Sequence, residues 1–345
     1  MTPTLRLIAI CAFLATLALP LLPGAQAADK ELNLYSARHY QTDEALYQDF
    51  TKRTGIKVNR IEAKEDELLE RLKNEGAASP ADVFITVDAA RLAKADELGL
   101  FEPVKSKLIE SRIPANLRAD NWLAFSTRAR VFVVNPAMVN VADVQTYGDL
   151  ANPKLKGQVC TRSGSHPYNI SLLASIIAHS DEARAEAWAR GVVQNFSRAP
   201  KGGDTDQIKG VAAGECGVAI ANTYYIARIL RSDKAEDRKI ASAIKIVWPE
   251  QVSGLGAHIN VSGGGMLKTA PHKDAAKKFL DYLASDSAQR YFADGNNEWP
   301  AVANLTLHNP ALEAMGKFKS DNLPIKELAK YAATAQRVFD RAGWK

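Results

Sequence analysis

Cysteine is scarce in this chain: three residues in 345. Cys11 falls in an N-terminal apolar run, which leaves Cys160 and Cys216. Two thiols so far apart in sequence are a poor zinc or copper signature, and an even pair in an exported chain is expected to form a disulfide. Long apolar runs are scarcer still. The first, "LIAICAFLATLALPLLPG", follows the single basic residue Arg6 and precedes "AQA" at 25–27. This is the pattern of a secretory leader cut after Ala27, and residues 1–27 are read as such. A retained anchor would lack that small-residue end, and a lipid anchor would need a cysteine at the cut rather than inside the apolar core. No later segment approaches the ~20 apolar residues of a membrane span.

A basic stripe is also missing. The formal charge is +5, falling to +4 when Arg6 leaves with the leader, and stretches such as "KEDELLERLKNE" mix both signs. Nucleic acid is therefore excluded as an expected partner. Hydrolase signatures are absent too. "SGS" at 163–165 precedes His166 but is not a G-x-S-x-G elbow, and "GGG" at 263–265 lacks the Lys-Ser/Thr ending of a phosphate loop. The triple glycine is read as a turn, and no enzyme activity is expected.

What the chain does contain is an alternating α/β rhythm. "ELNLYSAR" is a strand, "TDEALYQDFTKRTGI" an amphipathic helix stopped by Gly55, "KVNRIEA" a strand and "DELLERLKNEGAAS" a helix ended by Gly76. "ADVFITV" and "DAARLAKADELGLF" repeat the unit, so a parallel sheet flanked by helices is expected. The long run "WLAFSTRARVFVVNPAMV" suits a strand that leaves one lobe and enters another. "NISLLASIIAHSDEARAEAWARGVVQNF" is helical with a break near Ser180. "GVAIAN" is a buried strand, "TYYIARIL" a helix, and "KIVWPEQ" and "GAHINVSGGGMLK" are read as strands returning to the first lobe. The expected architecture is a two-lobed α/β, periplasmic-binding-protein-like fold of type II with hinge crossovers. Its first lobe is assigned residues 28–127 plus about 252–300, and its second about 128–251 plus 301–345.

Ligands of open α/β sheets sit where strands lead into helices. Three such loops carry tyrosine: "SARHY" with Arg38, His39 and Tyr40; "TRSGSHPYN" with His166, Tyr168 and Asn169; and "NTYY" with Tyr224 and Tyr225. An adjacent tyrosine pair at a helix start is ordinarily packing. Four phenols converging on one cleft are harder to explain so, because each buried hydroxyl needs a partner. A phenol titrates near 10, and only a strong Lewis acid takes its proton at neutral pH. Phenolate is hard and anionic, which disfavours Cu(I), while zinc and calcium prefer other donors. Ferric iron fits. Fe(III) with three phenolates is neutral and with four anionic; an anionic centre needs a cationic neighbour, and Arg38, Arg128 and Arg130 are the candidates to neutralise phenolate or to hold a carbonate. Asn169 is read as a possible cap of the helix after Tyr168.

These stretches, with "ADVFITVDAARL", "GDTDQIKGVAAGECGVAIANTYYIARIL" and "HINVSGGGMLKTAPHKDAAKKFLDYLAS", resemble the periplasmic ferric-iron-binding proteins, the solute receptors of ferric-iron ABC importers. The likeness runs from about residue 31 to the C-terminus, and "HPYN" with "NTYY" is its specific part. It implies that Tyr168, Tyr224 and Tyr225 bind Fe3+ from one lobe and that Tyr40, His39 or both close from the other. It also implies an optional synergistic anion such as carbonate near the arginines, a permease of the inner membrane as partner, a periplasmic location and a monomer. A receptor for a phosphonate- or polyamine-like ligand on the same fold is the alternative, and a secreted hydrolase the remote one.

Overall fold

The computed structural model describes residues 30–38, 40–252 and 254–345. The leader and His39 lie outside them. Ten strands are present among the described residues: β1 Glu31–Ser36, β2 Lys57–Glu62, β3 Val83–Thr86, β4 Phe101–Glu102, β5 Leu123–Val134, β6 Val159–Cys160, β7 Val218–Asn222, β8 Lys245–Val247, β9 Ile259–Leu267 and β10 Trp299–Pro300. They run in the order β2-β1-β3-β9-β5-β7-β6, with β4 and β10 beside β9 and β5 and β8 beside β5.

The first three strands pair in parallel, as the βαβ rhythm requires. The helices Asp43–Thr54 and Lys273–Leu283 cover this sheet. Phe50 of one meets Phe279 of the other edge-on at 5.1 Å, beneath buried Leu32 and Leu34. Gly55 ends the first helix at φ 73°, a left-handed cap that glycine adopts without Cβ strain.

β5 joins the two lobes. All twelve of its residues are buried, so its sequence shows no alternation. Residues Leu123–Ala129 pair antiparallel with β9 in the first sheet, and Arg130–Val134 pair with β7 in the second. The lobe-crossing strand read from the sequence is therefore present. The second sheet carries the helices Pro167–His179 and Glu182–Gln194, separated at Ser180 as expected, and the C-terminal helix Glu327–Ala342 packs on both.

Two expectations need correction. "KIV" does not return to the first lobe: β8 pairs with the second half of β5, at Phe132–Val134. The triple glycine is no turn. Gly263, Gly264 and Gly265 lie within β9, squeezed between β3 and β5. A Cβ on Gly264 would come within 2.5 Å of Ile85, and one on Gly263 within 2.5 Å of the Leu123 carbonyl. The glycines serve close strand and helix packing, a role that looks identical to a turn signal in sequence. Among the described residues, no helix is long and apolar enough to cross a membrane.

Candidate metal-binding site

β6 and β7 are parallel neighbours, with Val159 opposite Val218 and Cys160 opposite Ala219. Each feeds a helix at its C-terminal end. After β6 the chain turns through residues 161–166 into Pro167–His179. Pro167 takes the first helical position, and His166 Nδ1 accepts the Tyr168 amide at 3.2 Å. The cap is thus His166 and not Asn169, which lies inside the helix. His166 is pushed down to about 3 by burial, with Arg162 and Arg130 next in effect, so it stays neutral as a cap. After β7 the helix Thr223–Leu230 begins at once and carries Tyr224 and Tyr225 in its first turn.

Adjacent parallel strands thereby bring two helix starts together. The Tyr168 and Tyr224 hydroxyls stand 2.9 Å apart, and the Tyr225 ring lies against that of Tyr224 at 4.2 Å. Behind them the Cys160–Cys216 disulfide, with Cα atoms 5.8 Å apart, ties β6 to the residues before β7.

Tyr40 faces this group from the loop after β1. The Arg38 guanidinium lies 4.7 Å from the centre of its ring. Burial pushes the Tyr40 phenol well above its ordinary value, Glu298 adds to the rise, Arg38 opposes it, and Tyr168 also raises it. Tyr224 is likewise driven up, first by burial and then by Tyr168 and Tyr40. Tyr168 is pushed up to about 12 by burial, with Arg128 pulling the other way. The four phenols therefore share one electrostatic neighbourhood between the lobes, and Tyr40, Tyr168 and Tyr224 are protonated at neutral pH.

Three guanidiniums surround the Tyr168 ring: Arg162 at 5.0 Å, Arg128 at 5.7 Å and Arg130 at 5.9 Å. The arginines of the site, Arg38 by Tyr40 included, are not equivalent. Arg38 is bidentate to Asp43 at 2.8 and 3.1 Å and also meets Ser262 and Glu298. Arg130 gives both terminal nitrogens to Asp204, Asn222 and Asn169. Arg128 donates Nη2 to the Val87 carbonyl, while its buried Nη1 has no partner among the described residues. Of the three arginines picked out in the sequence, Arg128 is the one with a terminal donor still to place. Arg162 and Asp204 do not stand out in the sequence: an arginine in a polar loop and an aspartate at a helix start look ordinary.

Among the described residues, no group of three or more His, Cys, Asp and Glu side chains is placed to hold a metal. His179 and His258 are engaged with Asp321 and Ser171. The donors gathered here are phenols. An octahedral cation with metal–oxygen bonds near 2.0 Å places neighbouring oxygens about 2.8–3.0 Å apart. The Tyr168–Tyr224 separation already has that value.

Comparison with known proteins gives a consistent picture. The family of bacterial extracellular solute-binding proteins matches residues 45–320. The chain is 47% identical over 325 residues to iron uptake protein A1 of Synechocystis, covering 94% of this chain and 89% of the relative. It is 28% identical to the major ferric iron-binding protein of Neisseria meningitidis, over 94% of this chain and 96% of the relative. The Trichodesmium FutA (IdiA) structure, solved in complex with iron and citrate, superposes with a TM-score of 0.87 at 50% identity, covering 91% of this chain and 100% of that one. A ferric binding protein from Campylobacter jejuni superposes at 0.84 with 41% identity, over 91% and 100%.

Proposed function

This chain belongs to the bacterial extracellular solute-binding proteins, and on that premise we propose how it performs as a periplasmic receptor for Fe3+ that supplies an ABC importer. The observation that carries the proposal is the pair of hydroxyls from Tyr168 and Tyr224, pre-spaced at 2.9 Å, with Tyr225 against one and Tyr40 facing both. Tyr168 and Tyr224 are held neutral by burial and hydrogen-bonded to each other, so their oxygens become anionic ligands only when something takes their protons. A trivalent cation supplies what they lack, a charge strong enough to displace their protons.

In this reading the lobe bearing Tyr168, Tyr224 and Tyr225 binds the ion first. The lobe bearing Tyr40 and His39 then closes over it and excludes water. The lobes are taken as 28–127 plus about 252–300, and about 128–251 plus 301–345. Arg128 holds the closing charge. Its spare Nη1 either faces phenolate directly or seats a small anion such as carbonate. Arg38 and Arg130 brace the walls. The closed form is the one offered to the inner-membrane permease. The protein works as an exported monomer, freed of residues 1–27, and performs no catalysis.

Titration of the mature protein with ferric citrate is the test. A visible phenolate-to-iron band with one-to-one stoichiometry is expected, and it should vanish in a Y224F/Y225F double variant, which keeps both rings. A colourless wild type would point to an organic or oxyanion receptor instead. A band that survived the double variant would return the dyad to packing.

A further inference from the structure

Behind the phenols lies a charged assembly that capture of the ion does not itself use. Asp204 opens the helix Asp204–Ala212 and is fully buried. Its carboxylate does not cap that helix, since the cap is closed by Asp206, whose side chain accepts the Gly203 amide at 2.7 Å. All of its hydrogen bonds reach elsewhere. Oδ2 accepts the Asn222 amide at 2.7 Å and Arg130 Nη1 at 2.8 Å, and Oδ1 accepts Arg162 Nη1 at 3.0 Å.

The partners are informative. Asn222 is the last residue of β7 and immediately precedes Thr223, Tyr224 and Tyr225. Arg162 lies in the loop after β6 with its guanidinium 5.0 Å from the Tyr168 ring. Arg130 extends its other nitrogen, Nη2, to Asn169 at 2.7 Å, one residue past Tyr168. Asn169 in turn donates to the carbonyls of Arg162 and Ser163, both at 3.0 Å. One carboxylate thus reaches both loops that carry the phenols, once through a backbone amide and twice through arginine.

A buried ion pair is a poor source of stability, because desolvating the charges offsets most of their attraction, and apolar packing commonly does as well. Its strength is geometric: directional bonds fix positions that packing leaves loose. We propose that Asp204 is a positioning residue for the metal site, the clamp that holds the Tyr168 and Tyr224 helix starts at the spacing a cation requires. Two guanidiniums share the single carboxylate, so the clamp also leaves net positive charge beside Tyr168. The inference rests on the reading of these phenols as iron ligands.

The experiment compares wild type, D204N and R162Q as full mature chains, each loaded with ferric citrate and then challenged with a competing chelator. D204N keeps the shape but turns an acceptor into a donor facing arginine. R162Q removes one arm at a half-buried position and leaves Arg130 on Asp204, so it stays informative should D204N fold poorly. In both variants the visible band is expected to move, and iron is expected to leave about tenfold to a hundredfold faster, the range typical of groups that orient metal ligands. A purely structural role would lower the melting temperature and leave the band and release rate of the folded fraction unchanged; that result overturns the clamp. A wild type with no band would sink the iron reading and this inference with it. A normal wild-type band with both variants indistinguishable from it would overturn the clamp alone.

Discussion

The pH dependence of iron binding should count the phenols. Tyr40, Tyr168 and Tyr224 are all raised by burial above the ordinary phenol value, so each is protonated in the free protein at pH 7. Tyr168, pushed up to about 12, sits five pH units above neutrality, and removing its proton at pH 7 costs about 7 kcal/mol, which the bond to iron must supply. Each ligating phenol releases one proton on binding, so the logarithm of the affinity rises by about one per pH unit per phenol. The sign follows: lowering the pH loads the proton side of the exchange and weakens binding. With at least three phenols in this state, the slope should be about three or more below pH 7, after correction for the chelator's own titration. The assay is competition against a chelator of known pH behaviour between pH 5.5 and 7.5, with proton release checked in two buffers of different ionisation enthalpy. Tyr168→Phe should lower the slope by about one unit besides weakening binding. A slope near zero, or one unchanged by Tyr168→Phe, would refute the exchange of phenolic protons for iron.

Other substitutions separate charge, cross-link and packing. Arg128→Met removes the guanidinium with the unplaced donor and should weaken iron binding by about tenfold to a hundredfold in the same competition assay, while secondary structure by circular dichroism stays native. Replacing both Cys160 and Cys216 by alanine opens a loop spanning a separation of 56 residues, for which the chain-entropy account gives about 4 kcal/mol. The thermal midpoint should fall by about 6 °C, and an unchanged melting curve would show the cross-link to be thermodynamically idle. Gly264→Ala places a methyl against Ile85 and the Phe84 carbonyl and should cost about 1–3 kcal/mol in urea unfolding, with the iron band of the folded protein intact.

The strand–helix rhythm of residues 31–97 was legible because its helices bury one face and show a helical period, while its strands are short runs between them. The lobe-crossing β5 was legible for the opposite reason: a strand buried on both faces has no period and reads as one apolar run. The tyrosines stood out because phenols at strand ends are chemically unusual. Arg162 and Asp204 did not, because their importance lies in a contact across 42 residues of sequence that no local spacing records. Asn169 resembled a cap, but its amide is spent on three partners of the preceding loop, which left the capping to His166. Lobe assignment of the short β8 depended on a pairing choice along β5 that no local pattern records. Gly263–Gly265 misled because glycine marks tight turns and tight packing alike.

The change of partners along β5 has a mechanical corollary. Arg128 is registered against Asn260 in one sheet, and Arg130 against Asn222 in the other, so the switch falls between the two side chains that flank Tyr168. A motion that spread the two sheets apart would twist the strand at that spot. The same twist would draw the Arg128 cation away from Tyr168 while Arg130 stays fastened beside it. Unlatching the shell and weakening the grip on its cargo would then be a single motion.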